Sequence, residues 1–398
     1  MLTISNKGKL MPESPIRKLV PFAEKAKKKG VKVYHLNIGQ PDIETPPAAI
    51  EAVRNSEIKV LAYSKSEGDI ELRNKICNYY SKLDIKINNS EVIVTSGASE
   101  ALLFTLGSIM DPSEEIIIPE PFYANYNGFS VANGVNIIPI FSSIDNNFKL
   151  PKIEDFENLI TEKTKGILIC NPNNPTGYVY SRDEIKTLVE IVNKHNLFLI
   201  ADEVYREFTY ENTCHTSILE FSEIQKNAIV IDSVSKRYSM CGARIGCIIS
   251  KNPEFISTAM KFAQARLSPP TLAQIASTAA MDVGEEYFDS VINEYNERRK
   301  TLINGLNEIP GVKVSIPNGA FYCVVELPVK NSENFAKWLL EDFSLNNETI
   351  MVAPAAGFYS SLNTGENQVR IAYVLNQSDL KTCVNILKNG LVEYLKND

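Results

Sequence analysis

The chain has 398 residues, 44% of them hydrophobic and 22% charged, with 19 glycines and 20 prolines; this balance belongs to a soluble globular protein of two or more domains and excludes fibrous and disordered classes. A net charge of −7 removes the broad basic surface that nucleic acid or an anionic membrane would need, so neither is expected as a partner. No stretch approaches the roughly 18 apolar residues of a membrane span, and Met1-Leu-Thr-Ile-Ser-Asn-Lys-Gly lacks the apolar core of a secretion signal, so a cytoplasmic location is expected.

In chain order, the basic run Lys25 to Lys32 follows the apolar Val20-Pro-Phe-Ala23 and reads as a solvated helix end. Short runs rich in β-branched residues then recur: Glu91–Thr95, Glu115–Ile118, Gly166–Cys170, Leu197–Ala201, Ala228–Asp232 and Ile245–Ile249. They read as strands buried on both faces. Between them Ser181-Arg-Asp-Glu184 has the pattern of a capping box, and Ile185, Leu188, Val189 and Val192 follow at helical spacing. Alternating strand and helix predicts an α/β fold on a mainly parallel sheet.

After about Glu285 the texture changes. A long polar helix from Tyr287 to about Asn307 precedes strand-like Val312–Ile316, Phe321–Val325 and Val369–Tyr373. A large domain over 46–284 is therefore expected, with a smaller α+β domain built from 285–398 and the N-terminal segment 1–45.

Four features fall at predicted C-terminal strand ends, where open α/β sheets place ligands. Thr95-Ser-Gly-Ala-Ser-Glu100 opens an apolar helix, and its free backbone N–H groups suit a phosphate, although an ordinary strand-to-helix turn would look the same. Asn171-Pro-Asn-Asn-Pro-Thr-Gly177 carries two Asn-Pro steps that force an extended or cis-containing turn. Asp202 and Tyr205, in Ala201-Asp-Glu-Val-Tyr205, end a buried strand, where an acidic residue alone would usually be a helix cap. In Asp232-Ser-Val-Ser-Lys-Arg-Tyr-Ser-Met-Cys-Gly-Ala-Arg-Ile-Gly246, Lys236 stands just past a strand between two serines with Arg244 eight positions on, a poor surface pattern. A desolvated amine there favours imine chemistry, while Ser233, Ser235 and Arg244 could grip a phosphate dianion.

A phosphate cradle, an amine nucleophile, and an Asn, an Asp and a Tyr for a ring with a nitrogen and a phenolic oxygen describe a site for pyridoxal 5′-phosphate. The motifs NPxNPTG, DEVY and SxSKxxxxxGxRxG, in this order along the chain, resemble those of the fold type I pyridoxal-phosphate aminotransferases of class I/II, the group containing aspartate aminotransferase. The resemblance covers nearly the whole chain. It implies that Lys236 is the Schiff-base lysine and proton carrier, that Asp202 pairs with the ring nitrogen, and that Asn174 and Tyr205 bond the ring's phenolic oxygen. Tyr123 would stack on the ring, and Ala98, Ser99, Ser233, Ser235 and Arg244 would bind the phosphate. Arg370 would take the α-carboxylate, with the backbone of Gly39 facing it. Tyr63 resembles the tyrosine that reaches the neighbouring subunit's phosphate, which implies a homodimer with shared active sites.

The implied reaction is transamination from an L-amino acid, aspartate-type or broad in range, to a 2-oxo acid such as 2-oxoglutarate. A carbon–sulfur β-lyase on the same scaffold is the alternative, and a non-catalytic effector-sensing regulator a more distant one. The absence of a GxGxxG turn argues against a nicotinamide dehydrogenase. Scattered histidines (His35, His195, His215) and seven cysteines without a CxxC pair predict no metal site and reduced thiols. Some aspartate enzymes of this branch carry lysine at the position after Ala98, where Ser99 stands here, so a second substrate carboxylate would need another cation. Arg17 in the N-terminal segment is the candidate, against a bland reading as a solvated helix arginine.

Overall fold

A computed structural model describes residues 2–396. Its main sheet has seven strands, in the spatial order Val92–Thr95, Gly246–Ile249, Ala228–Ser233, Phe198–Asp202, Thr164–Cys170, Glu115–Glu120 and Asn136–Phe141. All neighbours run parallel except Gly246–Ile249, which is antiparallel to both of its partners. The expected mainly parallel sheet is therefore present. The strand the sequence did not announce is Asn136–Phe141, an edge strand in which Pro139 tolerates the missing donor.

Alternation along the strands sends side chains to two separate cores, as the period of two requires. Ile93, Ile116, Leu168, Ile200, Ile229 and Ile248 enter one; Val94, Ile117, Ile167, Leu199, Val230 and Ile249 enter the other. Helix Ala98–Ile109 covers the first face with Ala101, Leu102 and Leu106. Helix Arg182–His195 covers the second with Ile185, Leu188, Val189 and Val192, and its Ser181–Glu184 capping box is formed. Each such aliphatic side chain contributes about 1.5–3 kcal/mol by burial, which fixes the strand ends against the helices that follow them.

Beyond Glu285–Asn307 lies a four-stranded antiparallel sheet, Ala353–Pro354, Gln368–Ala372, Tyr322–Glu326 and Lys313–Val314. The expected strand Val312–Ile316 shortens to two paired residues. A separate parallel pair joins Lys32–His35 to Glu348–Met351, tying the N-terminal segment to the C-terminal region. The basic run divides accordingly, since its helix ends at Lys28 and Lys32 opens this strand. Among the described residues no helix is long and apolar enough to cross a membrane.

Candidate active site

The strands ending at Thr95, Cys170, Asp202 and Ser233 stop at the same edge of the sheet, and their loops wall a cavity of about 600 Å³. At one end the helix from Ala98 begins after Gly97, whose φ of +80° suits glycine. A Cβ on Gly97 would stand 2.3 Å from Arg244 Nη2, so the bare glycine lets the guanidinium lie across the helix start. Arg244 Nη1 donates to Cys241 O at 3.1 Å and Nη2 reaches Ser96 O at 3.4 Å. Ser233 Oγ lies 2.7 Å from Ile245 O and 2.8 Å from Ser235 Oγ. Among the described residues Arg244 has no carboxylate partner, and Glu100 in the first helical turn is taken up by Ser96 N at 2.8 Å and by Arg266, so hydroxyls, helix amides and one cation are left to converge. That is an arrangement for a dianion.

In the middle of the cavity Asp202 is 4% exposed, and its carboxylate accepts from the Tyr126 hydroxyl at 2.9 Å. Burial pushes its pKa up to about 6, with the Tyr126 bond pulling back. A protonated ring nitrogen beside it would restore its charge. Lys236 Nζ projects into the same space, donating to Gly39 O at 2.8 Å and lying 3.6 Å from Cys241 Sγ.

Three asparagines follow the strand ending at Cys170, and two of them fold their own loop. Asn171 accepts from Tyr180 N at 3.1 Å, while Asn173 accepts from Thr176 N at 3.1 Å and Thr176 Oγ1 at 2.9 Å. Both Asn-Pro bonds are cis. Asn174 is left to face the cavity, its Nδ2 donating to Tyr205 Oη at 3.4 Å. Tyr123 flanks this space, set edge-on to Tyr126 with ring centroids 5.5 Å apart; burial pushes its phenol up to about 12.

At the far end Arg370, in strand Gln368–Ala372, is 1% exposed. Its Nη1 donates to Asn174 Oδ1 at 3.1 Å and its Nη2 donates to Asn37 O. The guanidinium is held between the Tyr322 and Phe358 rings, at 4.6 and 4.9 Å from their centroids. Its Nε has no hydrogen-bond partner, and among the described residues no carboxylate pairs with it. Burial pulls its pKa below the ordinary guanidinium value. An unpaired buried cation is costly, and a carboxylate entering the cavity would relieve that cost with bidentate geometry. Arg17 stands on the rim of the same cavity, exposed and without an ion pair among the described residues.

The structure thus gathers Gly39, Arg17, Ala98, Ser99, Tyr123, Asn174, Asp202, Tyr205, Ser233, Ser235, Lys236, Arg244 and Arg370 around one space. Tyr63 is not there; it is 80% exposed, outside this cavity. Sequence reasoning passed over Tyr126 and Tyr322, which lie in a short helix and an apolar strand where a buried aromatic reads as core.

The family model for aminotransferase class I and II matches residues 31–387. The chain is 31% identical to the aspartate aminotransferase of Pyrococcus horikoshii over 98% of its own length and 97% of that protein's. Among solved structures, the aspartate aminotransferase of Thermotoga maritima superposes with a TM-score of 0.89 at 30% identity, over 98% of this chain and 100% of that one. The alanine aminotransferase of Pyrococcus furiosus does so with a TM-score of 0.89 at 29% identity, again over 98% and 100%. A family model spanning most of the sequence and a fold shared almost end to end establish that this chain belongs to the class I and II aminotransferases, pyridoxal-phosphate-dependent enzymes of fold type I that move an amino group from an amino acid to a 2-oxo acid.

Proposed function

We propose that this transaminase takes a dicarboxylic amino donor of the aspartate type and returns the amino group to 2-oxoglutarate. The observation that carries this reading is that, besides Lys236 and Arg244, two further cations in the cavity have no anionic partner among the described residues, Arg370 buried in its wall and Arg17 at its rim. The first suits an α-carboxylate, and the second a carboxylate on the side chain.

Pyridoxal phosphate, when bound, supplies a ring that withdraws electrons from the amino acid's α-carbon. The residues fit that group: the cradle of Ala98, Ser99, Ser233, Ser235 and Arg244 matches its phosphate, and Asp202 at the cavity's centre matches its ring nitrogen. Asp202 keeps a proton on that nitrogen. Asn174 and Tyr205 donate to the ring's phenolic oxygen, and Tyr123 covers a ring face. Lys236 Nζ, which projects into the cavity, would be the amine that holds the cofactor through its aldehyde carbon. A freed Nζ, held in the structure by the Gly39 carbonyl at 2.8 Å, would be the base that takes a proton from the donor's α-carbon and returns it to the carbon across the imine nitrogen.

The working unit is a homodimer with shared sites. Val60, Leu61 and Tyr63 are 76%, 65% and 80% exposed, and Leu267 is 51% exposed on the adjoining segment. Ser66 Oγ ties the two segments, donating to Leu267 O at 2.6 Å. Exposed apolar side chains on two segments tied together in this way fit a subunit interface, with Tyr63 reaching the partner's phosphate. A division into 46–284 against 1–45 with 285–398 would put the cofactor residues on one unit and Gly39, Arg17 and Arg370 on the other. The seven unpaired cysteines suit a reducing, cytoplasmic setting.

The test is the absorbance of protein loaded with pyridoxal phosphate. The yellow band is expected to bleach with aspartate and return with 2-oxoglutarate. A band that ignores aspartate and responds to alanine or an aromatic amino acid would overturn the dicarboxylate assignment and leave the cofactor residues standing.

A further inference from the structure

Tyr322 belongs to none of the sequence motifs, yet it joins the two ends of the cavity. It opens strand Tyr322–Glu326 and is 2% exposed. Its ring carries Arg370 at 4.6 Å. Its hydroxyl lies 3.0 Å from Tyr205 Oη and 3.4 Å from Gly39 O. A Cβ on Gly39 would stand 1.7 Å from Tyr322 Oη, so a glycine is what allows the N-terminal segment to close onto this phenol.

The protons can be counted. Tyr205 has one, and Asn174 Nδ2 already donates to its oxygen at 3.4 Å. Tyr322 has one, with two acceptors in reach, Tyr205 Oη at 3.0 Å and Gly39 O at 3.4 Å. Gly39 O already accepts from Lys236 Nζ at 2.8 Å. Each acceptor already holds one donor, and the shorter distance favours donation from Tyr322 to Tyr205. Tyr205 then keeps its own proton for the cavity. Were the direction reversed, Tyr205 would donate to Tyr322 and show the cavity only lone pairs.

We infer that Tyr322 is a positioning residue that acts through Tyr205, aiming the Tyr205 O–H into the cavity and thereby setting the protonation of the bound cofactor. The inference rests on the reading of Tyr205 as donor to the ring's phenolic oxygen. Removing a donor from a phenolate makes its charged form harder to reach.

The experiment is a pH titration of the visible absorbance of protein loaded with pyridoxal phosphate, without substrate, in Tyr205→Phe, Tyr322→Phe and the double variant. Tyr205→Phe is expected to raise the midpoint by about one unit, and Tyr322→Phe by roughly half a unit, the size of one neutral hydrogen bond. The double variant should match Tyr205→Phe alone. A midpoint unmoved in Tyr205→Phe overturns the reading of Tyr205 and this inference with it. A midpoint moved there but unmoved or lowered in Tyr322→Phe, or shifts that add in the double variant, overturn the inference alone. If Tyr322→Phe does not load cofactor, 3-fluorotyrosine at position 322 keeps the shape and is a stronger donor; it is expected to lower the midpoint, and an unchanged midpoint overturns the inference.

Discussion

The Tyr126 hydroxyl donates to Asp202 Oδ2 at 2.9 Å, joining helix Asn125–Asn133 to the end of strand Phe198–Asp202 beneath the cavity. That bond pulls the carboxyl's pKa down against a burial effect that raises it to about 6. Tyr126→Phe should let the pKa climb further, so that the carboxylate ionises less readily beside the ring nitrogen. Steady-state kinetics should show kcat lowered about tenfold at neutral pH, with recovery as pH rises.

Asp202 also gives the cofactor-free protein a pH signature. Folding raises its pKa from 3.8 to about 6, so between those values the folded state holds a proton that the unfolded chain has released. Its contribution is present below about pH 4 and is lost as pH rises through 6, an effect of up to about 3 kcal/mol. Asp202→Asn should remove that slope and raise the thermal midpoint of cofactor-free protein at pH 8 relative to pH 5. The same substitution should weaken cofactor binding.

Arg370 is held by two aromatic faces and by acceptors on Asn174 and Asn37, a geometry made for a planar cation. Arg370→Lys should cut kcat/KM for the amino donor roughly 100-fold, while cofactor affinity measured by titration stays unchanged. Unaltered kinetics would move the α-carboxylate elsewhere.

Arg17 lies on the rim, so its removal should change selectivity more than chemistry. In Arg17→Ala the ratio of kcat/KM for aspartate over alanine should fall at least tenfold, mostly through KM for aspartate. An unchanged ratio would return Arg17 to the role of a solvated arginine.

Gly97→Ala places a methyl 2.3 Å from Arg244 Nη2 at a backbone φ of +80°. Arg244 must swing off the helix start, and the dissociation constant for pyridoxal phosphate, read by equilibrium titration, should rise tenfold or more.

Residues whose chemistry clashes with their surroundings are legible in the sequence. Lys236 beyond a buried strand, Arg244 between Ala and Ile, and Asn174 in a doubly proline-locked loop each violate a surface or core pattern, and each faces the cavity. Tyr126 and Tyr322 violate nothing, because a phenol's ring satisfies core packing and hides what its hydroxyl touches. Gly39 can be read as a backbone position, but the phenol packed upon it lies 283 residues away. The pairing of Lys32–His35 with Glu348–Met351 is equally invisible, since neither run carries the length or alternation that marks a strand before its partner is known.

Arg370 reaches back 333 positions to the Asn37 carbonyl. A ribosome delivers the whole span from Ala98 to Arg244 well before it delivers Arg370, and contacts of such long range are slow to close. The chain therefore holds Ala98, Ser99, Ser233, Ser235, Lys236 and Arg244, the residues proposed to hold the cofactor, while Arg370, the proposed carboxylate anchor, is still unsynthesised.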